Sequence, residues 1–260
     1  LNYEAWNLSE ENLLRYGKNG IYANNFELSK SGNSIKIQSE SEKPNAPLTV
    51  DFKNFEIETI TNIAQKSTLE IGGKINGNAL IKNLQKTPLF TSNLNIENFT
   101  FKKDTLGNIN IKVDNQIANT YNAKVEITGQ ENQVNLDGNY KVSTKNLNMS
   151  LDIVKLNLKS IQGFTFGNIT KSTGFLNGNF KITGNSSKPN VNGELKFNEI
   201  GFKVKQLNAK FKSINDKIVF QNDLINLDKF TIKDEKDNNL TINGKIITTD
   251  FSNLGFDLGI

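Results

Sequence analysis

The chain has 260 residues, 36% of them hydrophobic and 22% charged, which is enough apolar material for a folded core and too much for a disordered segment. Cysteine and histidine are both absent, which removes disulfides, thiol nucleophiles, Cys/His zinc sites and imidazole catalysis together. The net charge is only +4 and Arg15 is the single arginine, so the fork that reads phosphates and guanine edges is nearly missing and no nucleic-acid partner is expected.

Period-two alternation dominates the chain and puts apolar and polar side chains on opposite faces of strands. It starts with Phe26 and Leu28, then Ile35 and Ile37, and continues through the block Leu48–Ile60. Ile57–Ala64 carries a weak helical signal. Next come Leu94, Ile96, Phe99 and Phe101, then Ile109, Ile111 and Val113, then Val125 and Ile127. Val134, Leu136, Tyr140 and Val142 follow, and after them Leu147, Met149, Leu151 and Ile153. A second weak helical turn is predicted over Leu158–Phe166. Phe180/Ile182, Leu195/Phe197, Phe202/Val204 and Leu240/Ile242 with Ile246 complete the pattern. Asn76-Gly77-Asn78, Asp137-Gly138, Asn177-Gly178-Asn179, Asn192-Gly193 and Asn243-Gly244 read as tight turns between strands. The count comes to roughly 18 to 22 strands, so the expected class is all-β and mostly antiparallel.

A repeat underlies the alternation. Leu48–Ile60 lines up with Met149–Ile161 at an offset of 101 residues. The same offset places Asn76-Gly77-Asn78 on Asn177-Gly178-Asn179, Ile81 on Ile182 and Pro88 on Pro189. Lys66-Ser67-Thr68 matches Lys171-Ser172-Thr173 once four extra residues are allowed. The expected divisions are 1–46 as the end of a preceding repeat, 47–148 and 149–249 as two β-repeats, and 250–260 as the start of another. No Gly/Ser/Pro-rich linker separates them, which favours one shared sheet. No run approaches about 18 consecutive apolar residues. The start Leu1-Asn2-Tyr3-Glu4 lacks an initiator Met and a signal-like region, and the end stops on strand-like alternation, so both read as cuts through a longer chain.

Chemistry is hard to find. A general base would have to be Asp, Glu, Lys or Tyr. No Gly-x-Ser-x-Gly or phosphate-loop pattern occurs, and Asp234-Glu235-Lys236-Asp237 lacks the ligand spacing of a calcium loop and reads as an exposed turn. Asp51 and Asp152 fall on the polar phase of their strands and read as a solvated face. No enzymatic activity, cofactor or metal is expected. Asparagine occurs 42 times, and its joint excess with Lys, Ile and Phe reads as compositional bias rather than as asparagine chemistry.

An all-β chain with one apolar face must cover that face. A sandwich or barrel uses its own opposing sheet, a solenoid fills the interior layer by layer, and an open U-shaped sheet leaves the face for another molecule. Alternation alone keeps all three open.

A resemblance favours the third. Trp6-Asn7 ahead of a strand pair, Leu48–Ile60 leading into Ile75-Asn76-Gly77-Asn78-Ala79-Leu80, Pro88, and Leu106-Gly107-Asn108-Ile109 form an ordered series. It continues through Phe175–Gly184, Pro189-x-x-x-Gly193-x-Leu195 and Phe256-Asp257-Leu258. Together they resemble the C-terminal half of the TamB family, the translocation-and-assembly-module proteins of bacterial envelopes, and more widely the AsmA-like proteins. The resemblance implies an elongated U-shaped sheet, a β-taco, with a hydrophobic groove standing in the periplasm. It implies phospholipid acyl chains as cargo between inner and outer membranes, and an Omp85-type outer-membrane barrel as partner in envelope assembly. The implied anchor of the intact chain lies in the inner membrane, outside this sequence. The groove lining expected from it is Leu94, Ile96, Phe99, Ile109, Ile111, Val125, Ile127, Val134, Leu136, Tyr140, Leu195, Phe197, Phe202, Leu240 and Ile242. A charge at Ile111 or Phe197 is expected to obstruct lipid passage. The rival reading is a self-filled β-solenoid or sandwich stalk with a structural or adhesive role.

Overall fold

The computed structural model describes residues 5–17, 20–43, 45–63, 70–84, 88–115, 117, 119–249 and 253–260. Nineteen strands stand among them, with two short α-helices, so the chain is all-β and the strand count falls within the expected range. Contacts divide it into two units, residues 1–103 with 108–125, and residues 104–107 with 126–260.

The first unit begins with β1 (Asn7–Leu8) and a separate hairpin of β2 (Leu13–Gly17) and β3 (Gly20–Asn24). There follow β4 (Phe26–Lys30), β5 (Asn33–Ser39), β6 (Leu48–Glu56), α1 (Ile57–Ile63), β7 (Ile71–Lys82) and β8 (Leu89–Phe101). The ladder β1–β4–β5–β6–β7–β8 is antiparallel throughout. Strands β9 (Asp104–Asp114) and β10 (Thr120–Gly129) each begin in one unit and end in the other.

The second unit continues with β11 (Asn132–Lys141), β12 (Asn146–Asn157), α2 (Leu158–Ile161) and a 3-10 turn (Gln162–Thr165). Then come β13 (Ile169–Asn185), β14 (Lys188–Val204), β15 (Ala209–Ile214) and β16 (Lys217–Gln221). The last are β17 (Leu224–Asp234), β18 (Asn239–Ile247) and β19 (Gly255–Gly259). Long β14 pairs with both β15 and β16, and β17 does the same, so β15 and β16 behave as one strand broken at Asn215-Asp216. The break is stitched by hydrogen bonds. Asn215 Oδ1 accepts from the Glu199 amide at 2.8 Å, the Asp216 carbonyl from the Phe197 amide at 2.7 Å, and the Asp216 carboxylate from the Thr231 amide at 2.9 Å.

Both weak helical signals form helices, at α1 and at α2 with its 3-10 extension; Ala64, Lys66-Ser67-Thr68 and residues 85–87 lie outside the described residues. Of Asp234-Glu235-Lys236-Asp237, Asp234 is the last residue of β17 and the other three lie in the connection to β18. The predicted boundary between 148 and 149 falls inside β12.

The Asn-Gly and Asp-Gly turns are not turns. Gly77, Gly138, Gly178, Gly193 and Gly244 all sit inside strands. Close backbone approach is the reason. A Cβ at Gly77 would stand 2.1 Å from the Asn93 carbonyl oxygen, and one at Gly244 would stand 2.1 Å from that of Asp257. The asparagines before these glycines have tasks of their own. Asn76 Oδ1 accepts from the Asn54 amide at 2.8 Å, and Asn243 Oδ1 from the Lys229 amide at 2.7 Å. Asn54 and Lys229 are left-handed residues, φ 48° and 50°, at register shifts in β6 and β17. Asn76 and Asn243 therefore each clamp a bulge in the neighbouring strand, while Asn177 accepts from the Asn198 side-chain amide and Asn192 from the Asn222 amide. The true hairpin turns use pairs such as Gln130-Glu131 and Asn222-Asp223, with both residues left-handed as a type I′ turn requires.

Candidate functional site: an apolar sheet face

Residues directly opposite in an antiparallel ladder point to the same face, so the register converts sequence alternation into rows of side chains. In the second unit one row runs Leu136, Leu151, Phe180, Gly193, Phe220, Ile225, Ile246 and Phe256 from β11 to β19. With strands about 4.8 Å apart, it crosses roughly 30 Å. On one side of it lies the series Gly138, Met149, Ile182 and Val191, and beyond that Tyr140 and Leu147. On the other side lies Val134, Ile153, Gly178, Leu195 and Ile218.

Glycines on this face make room for large neighbours. The ring of Phe180 lies over Gly193, where a Cβ would come within 2.7 Å of it. Freed of a side chain at Gly193, Phe180 meets Phe220 edge-on at 5.3 Å between centroids, two strands away. Phe197 and Phe230 make the same kind of contact at 5.2 Å.

The face is covered unevenly. Near α2, Leu176, Ile200, Ile214 and Phe230 form a buried cluster, packed by Leu158 and Ile161 of α2 and by Phe197, Phe202 and Phe211. Ile200 and Ile214 are each only 1% exposed. A second cluster of Val134, Ile153 and Phe180 takes in Ile127 and Leu195 at its margin. Along Met149, Ile182, Val191, Leu147 and Tyr140 the side chains stay half-buried.

Of the expected groove residues, Val134, Leu136, Tyr140, Leu195, Phe197, Leu240 and Ile242 share this face by register, and Ile127 and Phe202 pack with them. Val134 is buried, Leu240 is exposed and the others are half-buried. Phe197 packs on the closed cluster, so a charge there tests folding as much as lipid passage. In the first unit Leu94 and Ile96 pair with Gly77 and Ile75, placing them in rows with Phe52 and Phe55. Phe99 lies near the distorted end of β8, and Ile109, Ile111 and Val125 lie on β9 and β10; all four are half-buried. Sequence reasoning left Met149, Leu151, Phe180, Phe220 and Ile225 out of the lining. Met149, Leu151 and Phe180 alternate in the sequence, whereas Phe220 follows Ile218-Val219 without alternation, and only the register puts all five on one face.

The opposite face is polar and exposed. Glu194 bonds Lys217 at 2.6 Å and Lys196 at 3.2 Å, and these lysines hold its carboxyl below the usual range, Lys217 foremost. Lys155 does the same to Glu131 at 2.6 Å. Among the described residues, no group of three or more Asp, Glu, His or Cys side chains could hold a metal ion.

A family model described as TamB C-terminal domain matches residues 126–258, just over half of the chain. The chain belongs to the TamB family. The TamB match begins at Glu126, where the main segment of the second unit also begins, and it includes all of β11 to β18. TamB-family proteins are associated with the cell envelope and form a structural and transport family rather than a family of enzymes. No curated protein and no solved structure matches the chain. Among the described residues, no helix is long and apolar enough to cross a membrane.

Proposed function

We propose that the apolar face of this TamB-family chain is a periplasmic lipid groove, carrying phospholipid acyl chains between inner and outer membranes and supporting envelope assembly with an Omp85-type barrel. The observation that carries this reading is the in-register apolar row across the second unit, flanked by side chains that stay half-exposed. A 16-carbon tail costs roughly 12 kcal/mol to expose to water at about 0.8 per methylene, so moving it requires an apolar path without gaps. Many similar aliphatic contacts would let it slide without a deep trap. The ~100-residue period supports extension of such a path by adding like units, since β6–α1–β7–β8 and β12–α2–β13–β14 follow the same order of elements.

Native mass spectrometry of the purified chain, with organic extraction and lipid analysis, tests the proposal. Retained phospholipid in stoichiometric amounts is the expected result, and a Met149→Asp variant is expected to fold yet lose it. A folded protein free of lipid would overturn the reading. It would favour the self-filled stalk, for which the near-complete burial of Ile200 and Ile214 is the supporting observation.

A further inference from the structure

Two loops of the second unit are tied together at the edge next to α2. The Lys205 amide donates to the Asn168 carbonyl at 2.9 Å, and the Gln206 side-chain amide reaches Asn168 Oδ1 at 3.4 Å. These bonds join the β14–β15 turn to the loop that follows the 3-10 turn. Three large apolar side chains are exposed on the pair: Phe164 at 46%, Phe166 at 69% and Leu207 at 69%. Phe166 also adopts φ 52°, a left-handed conformation that bulky side chains rarely take and that Asn or Gly would adopt with less strain. Lysines outnumber acids beside them, although Lys210 pairs with Glu235 and Lys212 with Asp237. Residues 203–212 hold four lysines and no acid, and Lys203 sits directly opposite Lys210 in the ladder. Like charges so placed are destabilising. Glu235, hydrogen-bonded to Lys210, is held below the usual carboxylate range by that lysine first, with smaller contributions from Lys203 and Lys171.

Apolar side chains that keep this much surface in water add less to fold stability than buried ones, and Lys203 opposite Lys210 adds repulsion. A headgroup layer rewards both, because apolar tips enter the acyl boundary while cations meet phosphates. Protein interfaces, by contrast, are depleted of lysine. We infer that this edge docks on an anionic lipid surface, with Phe164, Phe166 and Leu207 inserting and Lys203 and Lys205 facing the lipid phosphates. The docking does not depend on lipid conduction along the sheet face.

Cosedimentation of the full chain with phosphatidylcholine vesicles, with and without phosphatidylglycerol, tests it. Binding is expected to be tighter with phosphatidylglycerol and to weaken with added salt. Lys203→Gln with Lys205→Gln should weaken that binding roughly 30-fold, from two lysine contacts, and leave phosphatidylcholine binding unchanged. Phe164→Ser with Phe166→Asn and Leu207→Ser should abolish binding to both vesicles while the thermal melt stays intact. Wild-type protein that ignores both vesicles would overturn the inference, as would a folded apolar triple variant that binds like wild type. Retention by polyglutamate without vesicle binding would also overturn it and assign the edge to an acidic protein surface. Extraction of resident lipid separates this docking from conduction, because a vesicle-binding protein that carries no lipid would sink only the groove, and a lipid-loaded protein that ignores vesicles would sink only the docking.

Discussion

Strands β12, β13 and β14 of the second unit pass through two different environments. Toward α2 they carry Leu156, Leu176 and Phe197, which join a cluster closed by the helix and by the turned-in Ile214 at the broken strand. Several residues away the same strands carry Met149, Ile182 and Val191, half-exposed on the same face. The alternation is equally regular in both places. What differs is the covering, supplied at one edge by a four-residue helix and a strand break. A sheet of this kind can thus hold a closed, stabilising core and a half-exposed apolar surface side by side, without any change in sequence pattern.

Charge insertion should separate the two environments most strongly. Ile214→Asp places a carboxylate where nothing can solvate it and should cost more than about 4 kcal/mol in urea unfolding, whereas Met149→Asp should cost no more than about 1–2 kcal/mol. Equal losses would abolish the distinction. Packing beneath the open row comes next. Gly193→Ala drives a methyl group against the Asn179 carbonyl and the Phe180 ring, and should lower stability by about 1–3 kcal/mol while separating the Phe180–Phe220 pair. Asn243→Ala removes the acceptor of the Lys229 amide and should cost about 1 kcal/mol, read as a shift in the urea midpoint.

The smallest effect belongs to the polar face. Glu131 and Glu194 are held below the ordinary carboxylate range by their lysines, so their contribution is complete above that range and declines as pH falls through the lowered values. Lys217 is raised by Glu194, so its contribution is complete below the ordinary lysine range and fades as pH rises through the raised value. A pH series of thermal melts should show both slopes as shallow, and Lys217→Gln should flatten the alkaline one.

Much of this was legible in the sequence. Period two located the strands, and the helical signals at Ile57 and Leu158 marked real helices. The Asn-Gly pairs misled, because the pair that favours a type I′ turn also suits a bulge clamp, where the Asn caps and the Gly admits a neighbouring carbonyl. At the real turn Gln130-Glu131 a glycine does stand beside the turning pair, since Thr128-Gly129-Gln130 already reads as a turn in the sequence. For the site, alternation found the face but not its coverage. Coverage depends on where α2 folds over and where Asn215-Asp216 interrupts a strand, and neither leaves a periodic trace.

The clamping asparagines also bear on the lifetime of the molecule. In a loose chain Asn-Gly is the pair most prone to cyclise, the glycine nitrogen attacking the side-chain carbonyl and leaving aspartate or its isomer behind. Held in strands, Asn76, Asn192 and Asn243 engage that carbonyl with a backbone amide of Asn54, Asn222 and Lys229, and Asn177 engages its own with the Asn198 side-chain amide. Deamidation should therefore act as a chemical record of past unfolding, accumulating at these four positions only in molecules whose sheet has opened.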